Sequence, residues 1–123
     1  MSFSSIRIIT EDVDRLAAFY ELVTGTAAER PAPVFARFTG TAATLAIADR
    51  ATVGMLGDAV SPHANQSVFV EFEVSDVDGE FARLRPEPRE VVLAPTTMPW
   101  GNRSALIRDP DGNVVNLFSR PSD

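Results

Sequence analysis

Ile6-Arg7-Ile8-Ile9-Thr10-Glu11-Asp12-Val13-Asp14 and, 64 residues later, Val70-Glu71-Phe72-Glu73-Val74-Ser75-Asp76-Val77-Asp78 follow one pattern. In each, an apolar run rich in β-branched residues leads into Asp-Val-Asp. Self-similarity at a fixed offset marks a duplicated structural unit, and the offset is about half of the 123 residues. The runs, residues 6–10 and 68–74, read as strands. After Asp12, Val13, Leu16, Ala17 and Tyr20 recur at i, i+3, i+4 and i+7, with Phe19 and Val23 widening the stripe, which predicts an amphipathic helix. Asp12 is placed to cap it and Gly25 to close it. After the second copy, Val77, Phe81 and Leu84 make a shorter stripe, capped by Ser75 or Asp76, weakened by Gly79 and stopped by Pro86. Tyr20 belongs to the apolar stripe, with its hydroxyl expected to reach the edge of the core.

Short strands are predicted behind each helix, at 34–38, 44–48 and 52–56 in the first half and at 90–93, 102–108 and 113–119 in the second. The order is therefore β-α-β-β-β twice, an α+β class. Gly57, Ser61, Pro62, Asn65 and Gln66 give the middle of the chain a connector composition, so the expected modules are about 1–57 and 67–123 with a linker at 58–66. Asp109-Pro110-Asp111-Gly112 is a turn signal: proline presets φ, and glycine takes the positive-φ place that lets the next strand pair.

Composition narrows the chemistry. With 45% hydrophobic and 23% charged residues the chain is ordinary for one globular domain, and no disulfide is available because there is no cysteine. All 11 basic residues are arginine, a lysine-free, alanine-rich balance like that of a GC-rich bacterium. Without thiol or lysine there is no thiolate nucleophile and no Schiff base. The lone His63 sits in the polar connector, far in sequence from an acid that would orient it. A net charge of −6 argues against nucleic acid. No apolar run of about 18 residues and no leader-like N-terminus is seen, so a cytoplasmic protein away from membranes is expected.

The duplicated strand-helix segments 6–25 and 68–84, with Phe19-Tyr20, and the closing run from Pro99-Trp100-Gly101 through Ile107-Arg108-Asp109-Pro110-Asp111-Gly112-Asn113 resemble the vicinal oxygen chelate superfamily of glyoxalases, bleomycin-resistance proteins and extradiol dioxygenases. The resemblance spans nearly the whole chain. It implies two tandem βαβββ modules whose curled mixed sheet surrounds a cup, and homodimers. In the enzymes four inward positions hold a divalent metal, which needs three or four N/O donors. The resemblance places those positions at Ser5, Ala46, Phe69 and Asn116, none of which is a credible ligand, so no metal and no other cofactor is expected.

What remains is a lining. Alternation sends Val68, Val70, Phe72 and Val74 to one face and Phe69, Glu71 and Glu73 to the other, and Arg7 matches Glu71 in the first module. The group either satisfies itself, Arg7 pairing with a glutamate, or forms a charged lining that attracts a cation. Trp100, at a turn, either stacks on a ligand or caps the core edge; Met55 is a softer candidate or simply gap-filling. The paired Asp12/Asp14 and Asp76/Asp78 sit at helix starts, where capping is their role. The candidate ligand-binding set is Arg7, Met55, Phe69, Glu71, Glu73, Trp100 and Asn116. Three functions stay open: metal-free binding or sequestration of a small hydrophobic or cationic molecule such as an antibiotic; a metal-dependent lyase, isomerase or dioxygenase, or one using Glu71 or Glu73 as general base; and a structural domain that kept only the fold.

Overall fold

The computed structural model describes residues 1–121, and the chain divides into two compact units, Met1–Ala64 and Asn65–Asp123. Each unit is a four-stranded mixed sheet with one α-helix packed on it. No helix among the described residues is long and apolar enough to cross a membrane.

In the first unit β1 (Ser5–Thr10), α1 (Val13–Thr24), β2 (Glu29–Ala32), β3 (Phe35–Thr39) and β4 (Thr44–Asp49) form a sheet of order β1-β4-β3-β2, with β1 parallel to β4 and the other pairs antiparallel. The helix begins where Asp12 Oδ1 accepts the Arg15 N–H at 3.0 Å. It ends where Gly25, at φ 68°, turns left-handed and returns its N–H to the Glu21 carbonyl. Its stripe of Val13, Leu16, Ala17, Tyr20 and Val23 is buried, over the sheet face carrying Ile8, Ile47 and Ala36 in one register row. The Tyr20 ring lies 6.4 Å from that of Phe38. Tyr20 is fully buried, so its hydroxyl does not reach the core edge as the stripe alone had suggested.

Two local expectations fail in this unit, and they compensate in the strand count. Residues 52–56 are not a strand: Arg50–Ala59 coils as 3-10 turns, kinked at Val53 and at Gly57, whose φ is 58°. Asp49 starts it, accepting the Ala51 N–H at 2.9 Å while its carbonyl takes the Thr52 hydroxyl. Local capping by a short acidic side chain outcompetes strand propensity here. The missing strand is β2, Glu29-Arg30-Pro31-Ala32, which reads as loop because proline lacks a ladder donor. It is tolerated because β2 is an edge.

The second unit holds β5 (Phe69–Glu73), α2 (Val77–Leu84), a short 3-10 turn at Pro88–Glu90, β6 (Val91–Thr97), β7 (Arg103–Arg108) and β8 (Val114–Ser119). Its order is β5-β8-β7-β6, again with the first strand parallel to the last. Asp76 caps α2 through the Gly79 N–H at 3.0 Å. A Cβ at residue 79 would run into Asp76 Oδ2, so the glycine that costs helix propensity keeps room for the cap.

The β7–β8 turn is built on Asp109. Its Oδ1 accepts the N–H groups of Asp111 and Asn113 at 2.9 Å, its Oδ2 takes the Asn113 side-chain amide at 2.8 Å, and Gly112 sits at φ 86°.

Candidate functional site

Register in the second unit sorts its sheet into two faces. Val70, Val115, Ile107 and Val91 form one row, and Phe72, Leu117 and Ala105 another; Val115, Ile107, Leu117 and Ala105 are buried on the side where α2 packs. The intervening rows lie on the opposite face. They read Phe69-Val114-Arg108, Glu71-Asn116-Leu106 and Glu73-Phe118-Ser104. Period-two alternation thus brings Phe69, Glu71, Glu73 and Asn116 together on one face.

Glu71 and Asn116 are direct neighbours. The Asn116 amide donates to Glu71 Oε2 at 2.8 Å. That bond settles the amide's orientation, since turning it over would set oxygen against carboxylate. Asn116 retains only 9% exposure, and among the described residues no donor reaches its Oδ1. No ion pair among the described residues includes Glu71. The pair therefore presents acceptor oxygens: a carboxylate with an uncompensated charge and a half-used amide.

Glu73 is different. Arg120 Nε reaches its Oε2 at 2.9 Å, and the same guanidinium lies 5.7 Å from the Phe118 ring centre. Of the two carboxylates that alternation predicted side by side, one is neutralised by a cation and one is not. Nothing in the sequence near Glu73 announces Arg120, which is 47 positions away.

The first unit repeats the geometry with other chemistry. Arg7 lies beside Ala46 in register, as Glu71 lies beside Asn116, and Ser5 precedes Arg7 by the two residues that separate Phe69 from Glu71. Arg37 flanks Ala46 on its other side and gives its Nε–H to Glu29 at 2.9 Å, while the Thr39 hydroxyl adds 3.1 Å to the other oxygen. The Arg37 and Thr39 hydrogen bonds hold the Glu29 carboxyl below its ordinary value. Arg7 makes no ion pair among the described residues.

The remaining candidates are spread out. Met55 lies in the 3-10 stretch at 89% exposure, and Trp100 is 68% exposed in the β6–β7 turn, where Gly101 at φ 102° returns its N–H to Met98. That exposure removes the reading of Trp100 as a cap on the core. His63, at φ 61°, has Nε2 3.7 Å from Glu11 Oε2. Sequence reasoning missed a hollow of about 300 Å³ lined by Asn65, Gln66, Val68, Arg108 and Val114. Its sequence signal was the arginine immediately before the Asp-Pro-Asp-Gly turn.

A hydroxyl, a methyl, a phenyl ring and a carboxamide occupy positions 5, 46, 69 and 116, a set that does not fit a divalent ion seeking imidazole and carboxylate. Among the described residues no three histidine, aspartate or glutamate side chains converge on a common point.

A family model described as Glyoxalase/Bleomycin resistance protein/Dioxygenase superfamily matches residues 2–117. A solved glyoxalase/bleomycin resistance protein/dioxygenase from Nocardioides is 26% identical, with TM-score 0.75 over 99% of this chain and 85% of that one. A glyoxalase/bleomycin resistance protein/dioxygenase family enzyme from Burkholderia phytofirmans PsJN superposes at TM-score 0.81 with 17% identity, covering 97% and 98%. A glyoxalase-related enzyme from Fulvimarina pelagi does so at 0.81 with 19% identity, covering 98% and 88%. No curated protein matches the chain.

Proposed function

This chain belongs to the glyoxalase/bleomycin resistance protein/dioxygenase superfamily, and from that premise we propose that it is a metal-independent binding protein that sequesters a small hydrophobic or cationic molecule, as an antibiotic-resistance protein does. The observation that carries the reading is the Glu71–Asn116 pair. Its acceptor oxygens, one of them on an amide that is mostly buried, call for a ligand that brings donors and positive charge. Phe69, Val114, Leu106 and Phe118 on the same face supply the apolar surface that such a ligand's body needs.

The competing reading, a metal-dependent lyase, isomerase or dioxygenase, finds no donor set at Ser5, Ala46, Phe69 and Asn116 to support it. A homodimer is part of the same proposal, and sedimentation equilibrium reads it directly.

Calorimetric titration with a basic glycopeptide antibiotic and with a hydrophobic alkylammonium ion tests the reading. A Glu71→Gln, Glu73→Gln double variant is expected to bind either cation roughly tenfold or more weakly than wild type; equal affinity would remove it. Stoichiometric Zn²⁺, Fe²⁺, Ni²⁺ or Mn²⁺ surviving dialysis would overturn the metal-independent part.

A further inference from the structure

The hollow beside the first residues of β5 and β8 has its own chemistry. Its polar groups divide into those already committed and those that are not. Asn65 is spent: Oδ1 accepts the Ser67 and Val68 N–H groups at 3.2 and 3.0 Å, and Nδ2 donates to the Val68 carbonyl and to Asn113 Oδ1 at 2.9 and 3.1 Å. Arg108 commits one N–H, from Nη1 to the Gly112 carbonyl at 3.0 Å, and forms no ion pair among the described residues. Gln66 makes no hydrogen bond among the described residues. The other walls are Val68 and Val114.

Arg108 is exposed at the mouth of this concavity and keeps most of its N–H groups uncommitted in a chain of net charge −6, and that fork matches a carboxylate geometrically. We propose that this hollow binds the carboxylate of a small organic acid, with Arg108 as the cation, Gln66 as a neutral donor and the two valines against the acid's short apolar stem. About 300 Å³ is the lower end of small-molecule sites. One guanidinium balances one carboxylate; a phosphate dianion would add nearly a second charge with nothing opposite it. The hollow shares Val114 with the apolar surface proposed beside Glu71 and Asn116, but its charged group is Arg108 and not Glu71, so an anion titration and a cation titration fail separately.

The test is a titration of ¹⁵N-labelled protein with sodium propionate at constant ionic strength, followed by NMR. Saturable shifts are expected at the Gln66 side-chain amide, the Arg108 Nε–H and the backbone amides of Val68 and Val114. Arg108→Gln should weaken propionate roughly tenfold or more, and Gln66→Ala about two- to fivefold. Because Arg108 also holds the Gly112 carbonyl, Gln66→Ala and the wild-type titration decide the matter if Arg108→Gln does not fold. No saturable shift at these groups overturns the proposal, as does wild-type propionate affinity in both variants. Tighter binding of inorganic phosphate than of propionate overturns the carboxylate assignment.

Discussion

Arg103 holds Asp78 in a fork, Nε to Oδ2 and Nη2 to Oδ1, both at 2.7 Å. The fork ties the first turn of α2 to β7, and Nη1 extends to the Thr97 hydroxyl on β6 at 3.1 Å. The Arg103 hydrogen bonds keep the Asp78 carboxyl below its ordinary 3.8, and Asp78 in turn raises Arg103. A carboxylate with a depressed pKa contributes stability that is present above its unfolded value and lost as pH falls through its folded one. Thermal melts should therefore show Asp78→Asn less stable than wild type at neutral pH, with the gap closing below about pH 4. A gap that persists at pH 2 would mean the fork contributes packing rather than charge.

The two glutamates of β5 should prove unequal. Glu73 already has Arg120, whereas Glu71 has only the Asn116 amide. Measured singly, Glu71→Gln is expected to reduce affinity for an alkylammonium probe roughly tenfold and Glu73→Gln less than about twofold. Equal losses would place the ligand across both.

Replacing Asn116 by aspartate sets a second carboxylate where a donor now lies 2.8 Å from Glu71 Oε2. The two cannot both ionise freely, so one proton is shared and an apparent carboxyl pKa rises. Asn116→Asp should be destabilised by about 1–3 kcal/mol at pH 8 and recover as pH falls below about 6. Chemical denaturation at several pH values reads the trend, and a variant with no pH dependence would contradict the pairing.

The β7–β8 turn is the most sensitive loop position on these grounds. Asp109→Ala abandons at least three hydrogen bonds at a buried site, at a cost of about 2–4 kcal/mol, or a fall in Tm on the order of 10 °C for a protein this size. Gly112→Ala, at φ 86°, should cost about 1–2 kcal/mol. Calorimetry separates the two; an Asp109→Ala loss below that of Gly112→Ala would refute the ranking.

Much of this was readable from residues in order. Strand alternation in β5, the α1 stripe, the caps Asp12 and Asp76, the closing Gly25 and the Asp-Pro-Asp-Gly turn all act within a few positions, so local sequence carries their cause. The exceptions were also local in origin: Pro31 disguised an edge strand as loop, and Asp49 drew the mostly apolar stretch 52–56 into 3-10 turns. The site was half legible. Alternation put Glu71 and Glu73 on one face, and the repeat matched Arg7 to Glu71. Which carboxylate would be neutralised, which amide would be left half-satisfied and which arginine would line a hollow depended on partners such as Arg120, Asn116 and Gln66.

Chain order alone thus determined the duplicated module, its helix ends and the face each strand residue takes, because 3.6- and 2-residue periodicity and short-range capping are properties of neighbours along the backbone. Only the tertiary structure decided how the charges are spent. Hydrogen bonds and ion pairs form between groups within about 3–4 Å in space, and strand register, not sequence spacing, brings residues such as Glu71 and Asn116 to that distance.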